Sequence, residues 1–94
     1  MFEITRSDPA TVRLSGRFDA AQVDTAAQVL AAVDRSCTVD FAELDYISSA
    51  GLGLLFATHK RLLEAGDRLR LTNLKPHIRE LFQIAGFDAI FEIC

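Results

Sequence analysis

The chain has 94 residues, 50% of them hydrophobic and 24% charged, with a formal net charge of −3. That length suits one core and is too short for two, and the composition is that of a soluble globular domain rather than a disordered segment. The acidic balance, with a pI near 5.2, excludes the basic field on which non-specific nucleic-acid binding depends. Residues 1–47 carry eight acids and four Lys/Arg, residues 48–94 five acids and six Lys/Arg, an asymmetry too mild to suggest DNA. No stretch approaches the roughly 18 apolar residues of a membrane span. The segment Met1-Phe2-Glu3-Ile4 alternates like a strand and lacks a signal peptide's basic and apolar regions, so the expected location is the cytoplasm. Cys37 and Cys94 belong to no Cys-x-x-Cys pair or metal-spaced cluster and read as two free thiols, with no metal expected.

Phe2 to Arg6 alternates at period two, Ser7-Asp8-Pro9 breaks it, and Thr11 to Ser15 alternates again before Gly16, which predicts two strands joined by a turn. Val23, Ala26, Ala27, Leu30 and Val33 recur at helical steps, and Asp19 followed by Gln22 resembles a capping box, so a first helix is expected to start at Asp19. Cys37 to Phe41 reads as a short third strand and Ala42 to Ile47 as a loop. Leu52, Leu55, Phe56, His59, Leu62 and Leu63 write a second helix that Gly66 stops. A fourth strand is expected over Arg68 to Thr72. The third helix has Pro76 in its first turn, an apolar face of Ile78, Leu81, Phe82 and Ala85, and Gly86 at its end. Ala89 to Ile93 is expected as a last strand. The order β-β-α-β-α-β-α-β over residues 1–94 implies a single α/β domain whose mixed sheet has about five strands and three main helices.

Tyr46-Ile47-Ser48-Ser49-Ala50-Gly51-Leu52-Gly53 is the most informative stretch. Two hydroxyl residues stand where a helix begins, and either side-chain oxygen can accept from an unpaired backbone N–H, but capping needs only one of them. Gly51 and Gly53 each weaken the helix by about 1 kcal/mol relative to alanine, a cost that close approach of another backbone would explain. That backbone can belong to the domain itself or to a partner, and the residues alone leave both readings standing. A phosphate on a hydroxyl here would meet the positive end of the helix dipole, changing surface charge by roughly −1.5 to −2 without unfolding the chain.

Nucleophilic catalysis fits these residues poorly. A Gly-x-Ser-x-Gly elbow would need glycine at Ile47, and His59 lies ten residues along the same helix from Ser49, about 15 Å away. His77 opens another helix with no identified orienting group. The phosphate-cradling Gly-x-x-x-x-Gly-Lys is absent, and Gly51-Leu52-Gly53 lacks a dinucleotide fingerprint's third glycine, so no cofactor is expected.

Taken in order, Leu14-Ser15-Gly16-Arg17-Phe18-Asp19, Val39-Asp40-Phe41, the Tyr46-to-Gly53 stretch and Leu81-Phe82-x-x-x-Gly86-Phe87 resemble the STAS domain family, typified by bacterial anti-sigma factor antagonists. The resemblance covers essentially the whole chain. It implies a non-catalytic switch protein that binds an anti-sigma factor, itself an ATP-dependent serine kinase, until phosphorylation ends the binding and a serine phosphatase restores it. In the family's Asp-Ser-(Ser/Thr)-Gly motif the phosphorylated serine falls on Ser49, and Asp19 matches the family's acid near that site. Asp19, Ser48, Ser49, Ala50, Gly51, Leu52 and Gly53 are the implied partner-binding residues. Ser48 replaces the motif's aspartate and Ala50 its second hydroxyl, which makes Ser48 the alternative acceptor. It also keeps a second reading, a STAS scaffold subunit of a multi-protein complex, for example in lipid transport, that binds without phosphorylation.

Overall fold

The computed structural model describes residues 1–94. Strands β1 (Phe2–Asp8) and β2 (Thr11–Phe18) form an antiparallel hairpin, and β3 (Cys37–Ile47), β4 (Leu69–Thr72) and β5 (Glu92–Ile93) add to it in sequence order, each parallel to the one before. Helices α1 (Val23–Ala31), α2 (Ser49–Glu64) and α3 (Pro76–Ile84) make the three crossovers. Right-handed crossovers between strands laid down in order put all the helices on one face of the sheet. Burial agrees: Val12, Leu14, Val39, Phe41, Leu69 and Leu71 are fully covered, whereas Arg13, Arg17 and Arg70 on the same strands are exposed. Nineteen buried residues form one continuous apolar core.

Ala42–Ile47 is not a loop but the second half of an eleven-residue strand. Beyond Asp40, β3 holds one extra residue between Arg13 and Ser15 of β2 and another between Gly16 and Arg17. These bulges stretch the inward step from two residues to three, so Phe41, Leu44 and Ile47 all face the core while the sequence loses its period-two signature.

The first helix begins differently as well. Asp19 caps a 3-10 turn, Ala20–Gln22, by accepting from Ala21 N–H, and the α-helix proper starts at Val23. Gln22 makes no side-chain bond back, so the capping box is only half formed. The last strand is shorter than expected because Phe87–Ala89 coils into a 3-10 turn, in which Ile90 N–H and Phe91 N–H both donate to Phe87 C=O. That turn brings Phe87 and Phe91 edge-on to Phe82, at 6.4 and 5.8 Å between ring centres. Gly86, with φ 76°, allows the reversal after α3. No helix is long and apolar enough to cross a membrane. Both cysteines are free, Cys37 buried and Cys94 exposed, and burial pushes the Cys37 thiol up from its ordinary value.

Buried His59 ties three elements together. Its Nδ1 accepts from Leu69 N–H at 3.0 Å, which leaves Nε2–H to donate to Ile90 C=O at 3.2 Å. Removing the ring strands a buried donor and a carbonyl, so His59→Ala should lower stability by about 2–3 kcal/mol in urea denaturation. An unchanged midpoint would show that the bridge carries no load.

Candidate functional site

The site is built where β2 and β3 end side by side. Phe18 pairs with Ile47, and Ser48 N–H donates back across the pair to Phe18 C=O at 2.9 Å. The chain then leaves β2 through Asp19 and β3 through Ser48, so two helical starts stand next to each other at one edge of the sheet. This brings Asp19 into the neighbourhood of the Ser48–Gly53 segment.

Ser48 is the N-cap of α2. Its backbone is extended (φ −84°, ψ 168°) and its Oγ accepts from Gly51 N–H at 3.2 Å, while its C=O takes Leu52 N–H. Ser49 is therefore the first helical residue, exposed and with no capping duty. Ala50 is exposed beside it, and Leu52 is half-buried against the core. The two glycines part company. A Cβ on Gly51 would lie 3.0 Å from Ile47 Cγ1 and 3.3 Å from the Phe18 ring, so this glycine lets the first turn of α2 settle onto the strand ends. A Cβ on Gly53 would meet nothing within 4 Å.

A third crossover reaches the same edge. Lys75 Nζ and His77 Nε2, flanking the start of α3, bond to the Asp45 carboxylate and the Asp45 C=O respectively. The Lys75 hydrogen bond and charge, helped by His77 and Arg17, hold the Asp45 carboxyl below its ordinary range. Sequence reading missed this strap: Lys75 lies thirty residues from Asp45, and nothing local marks the pair.

Neither histidine is placed as a base for Ser49. His59 is buried with both nitrogens engaged, and His77 donates to a carbonyl. None of the surface clefts is lined by Asp19, Ser48 or Ser49. The largest, of about 340 Å³, sits at the opposite end of the strands among Cys37, Arg68 and Arg70, where Glu92 takes both guanidinium groups. An exposed hydroxyl on open surface is suited to contact and modification by another protein rather than to enclosing a small substrate.

The capping assignment has measurable consequences. Ser48→Ala should cost roughly 0.5–2 kcal/mol, as should Asp19→Ala, with Asn at Asp19 recovering most of its loss. Ser49→Ala should stay within about 0.5 kcal/mol. Thermal or urea melts that rank Ser49 above Ser48 would reverse the assignment. The Asp45 carboxyl, depressed in the folded chain, adds stability above the ordinary carboxylate range that is lost as pH falls through its lowered value. Lys75→Met should move its titration upward in carbon-detected NMR.

Comparison with known proteins now bears on this geometry. A family model described as Mlab, STAS domain matches residues 2–92. The Bordetella bronchiseptica protein BtrV, a candidate anti-sigma factor antagonist, is 43% identical over 74 residues, 79% of this chain and 58% of that protein. The anti-sigma-B factor antagonist of Staphylococcus epidermidis is 29% identical over 94 residues, 96% of this chain and 87% of that one. Among solved structures, the anti-sigma factor antagonist SpoIIAA in its unphosphorylated form superposes with a TM-score of 0.79 at 21% identity, covering 100% of this chain and 88% of its own, an identity at which the fold is what the two share. With the family model covering nearly the whole sequence and a relative matched so closely over most of it, the chain belongs to the STAS domain family.

Proposed function

We propose that the chain is an anti-sigma factor antagonist of the partner-switching kind, a regulator that binds rather than catalyses. Unmodified, it holds a serine-kinase anti-sigma factor. Phosphorylation of Ser49 by that kinase, with ATP as the donor, releases it and a serine phosphatase resets it, in the cytoplasm; the chain itself uses no cofactor. The observation that carries this reading is the division of labour at the start of α2: Ser48 does the capping, which leaves the Ser49 hydroxyl exposed and uncommitted at the helix's positive end. The same division supports Ser49 over Ser48 as the acceptor, because the half-buried Ser48 hydroxyl is engaged with Gly51 N–H whereas that of Ser49 is exposed and free. The names of the matched relatives support the antagonist role.

Release follows from electrostatics. A phosphate brings roughly two negative charges into a surface the partner covers, and burying charge without a matching cation costs several kcal/mol. About 5.5 kcal/mol moves an equilibrium from 99:1 to 1:99, which is within that range. The second reading, a scaffold subunit that binds without phosphorylation, is favoured by one feature, the neutral Ser48 where the family motif has an acid.

The test is calorimetric titration of the chain against purified serine-kinase anti-sigma factors of its own source, with mass spectrometry of the peptide holding Ser48 and Ser49. Ser49→Ala should bind persistently and resist phosphorylation, Ser49→Asp or Glu should bind more weakly, and all three should remain folded. Aspartate should fall short of phosphate, since it carries less charge and one oxygen fewer. Equal binding by the alanine variant and the phosphorylated chain would leave the scaffold reading in its place.

A further inference from the structure

At the opposite end of β3 from Ser49, the cleft of about 340 Å³ lies at the small end of the range for ligand pockets, roughly 300–1,000 Å³. Its hydrogen-bonding groups are unbalanced. Ser36 Oγ is spent between the Asp67 carboxylate and Arg68 N–H, Ala10 C=O takes Thr38 N–H, and the Cys37 thiol turns to Thr38 C=O. Glu92 is the one acid in the lining, and each of its oxygens already faces a guanidinium, Oε1 that of Arg68 and Oε2 that of Arg70. Asp67 and Asp8 stand outside the lining, holding Ser36 and Ala10 N–H. What is left over is donors: the other N–H groups of both exposed arginines, with the Thr38 hydroxyl able to turn toward the same space. Two cations against one carboxylate also give the lining a net positive charge.

A second cleft, of about 300 Å³, adjoins the first, because Arg68 and Glu92 line both and their ion pair forms the wall between them. Beyond that wall the surface turns apolar. Leu63 and Ile90, 52% and 41% exposed, line it with buried Phe91. His59 offers ring carbon there, since both its nitrogens are bonded within the fold. The methylene stem of Arg68 gives an apolar surface continuous from one cleft to the other.

We propose that the joined clefts bind a small organic anion with an apolar body, free in solution, of the class of an alkyl phosphate or alkyl carboxylate. The anionic head takes the spare N–H groups of Arg68 and Arg70, and the body crosses onto Leu63 and Ile90. An inorganic ion would leave the apolar cleft empty, and an uncharged alkyl chain would leave the donors unmet. Glu92 is the internal rival of the head group. The two arginines, Arg70 foremost, hold its carboxyl below its ordinary range, so at neutral pH it stays charged and weakens their grip on a ligand.

Hexyl phosphate titrated into the full chain should saturate, moving the amide NMR signals of Thr38, Arg68 and Glu92 and leaving that of Ser49 in place. Inorganic phosphate and hexanol should each bind about tenfold more weakly or worse. Arg70→Gln should weaken hexyl phosphate binding about tenfold, and Glu92→Gln should tighten it. Both variants break the same ion pair yet move affinity in opposite directions, so a disturbed fold cannot imitate the result. Leu63→Ser should weaken binding of hexyl phosphate and leave that of inorganic phosphate unchanged. Ser49→Ala should bind as the natural chain does, which keeps this outcome separate from the antagonist reading. Equal affinity for inorganic and hexyl phosphate, or unchanged binding by Arg70→Gln, would overturn the site. Binding to phosphatidic acid vesicles that depends on Arg70, with none to free hexyl phosphate, would assign the arginines to a membrane surface and overturn the soluble ligand.

Discussion

The junction of Phe18 and Ile47, where two parallel strands end in register, is the constraint on which the functional end of the molecule depends. Phe18 C=O takes the Ser48 N–H, and the Phe18 ring lies beneath Gly51. One residue thus fixes both the position and the tilt of the first turn of α2. Any side chain at Gly51 would have to push that turn off the strand ends, and Ser49, Ala50 and Gly53 would move with it. The surface proposed to meet a partner has its underside seated on the core through Gly51 and Leu52, an arrangement that would limit the ordering cost of association.

The two bulges of β3 serve the same end. In a regular strand Glu43 and Asp45 would share the inward face with Cys37, Val39, Phe41 and Ile47. The first bulge exchanges them for Leu44, and the second restores the phase at Ile47. Two carboxylates are spared burial, and Asp45 is turned outward to where Lys75 and His77 reach it. This strap draws the start of the third helix to the same edge as the first two.

The same bulges explain where sequence reading stopped. The hairpin, the three helices and the parallel order were legible because each element keeps one period from end to end. The second half of β3 was not, since a three-residue step belongs to neither a strand nor a helix and becomes intelligible only beside β2. The last strand was misjudged for a related reason: Ala89 to Ile93 is rich in strand-favouring residues, but packing of Phe87 and Phe91 on Phe82 wins over local preference. At the site, the sequence singled out the eight residues from Tyr46 to Gly53 yet left open which serine caps and why two glycines stand so close together. Both questions are about what lies opposite a residue across the fold. Only the positions of Gly51 N–H, Phe18 and Ile47 separate the capping serine from the free one, and the packed glycine from the open one.

The neutral cap at Ser48 gives the proposed switch a particular electrostatic form. An aspartate in that place would cap equally well and would also offset the positive end of the α2 dipole with a permanent charge. A phosphate arriving next to it would add to an existing anion and meet repulsion. With serine as the cap, the hydrogen bond to Gly51 N–H is kept while the helix end remains electropositive. Phosphorylation then carries the immediate surface from neutral to strongly negative, and the dipole stabilises the modified state instead of having been neutralised beforehand. Of the nearby acids, Asp45 is paired with Lys75, and Asp19 spends a carboxylate oxygen on its own 3-10 turn and belongs to the adjacent helical start. Replacing an acid with a hydroxyl at Ser48 therefore preserves the local fold and enlarges the relative change in charge that a partner would sense at Ser49.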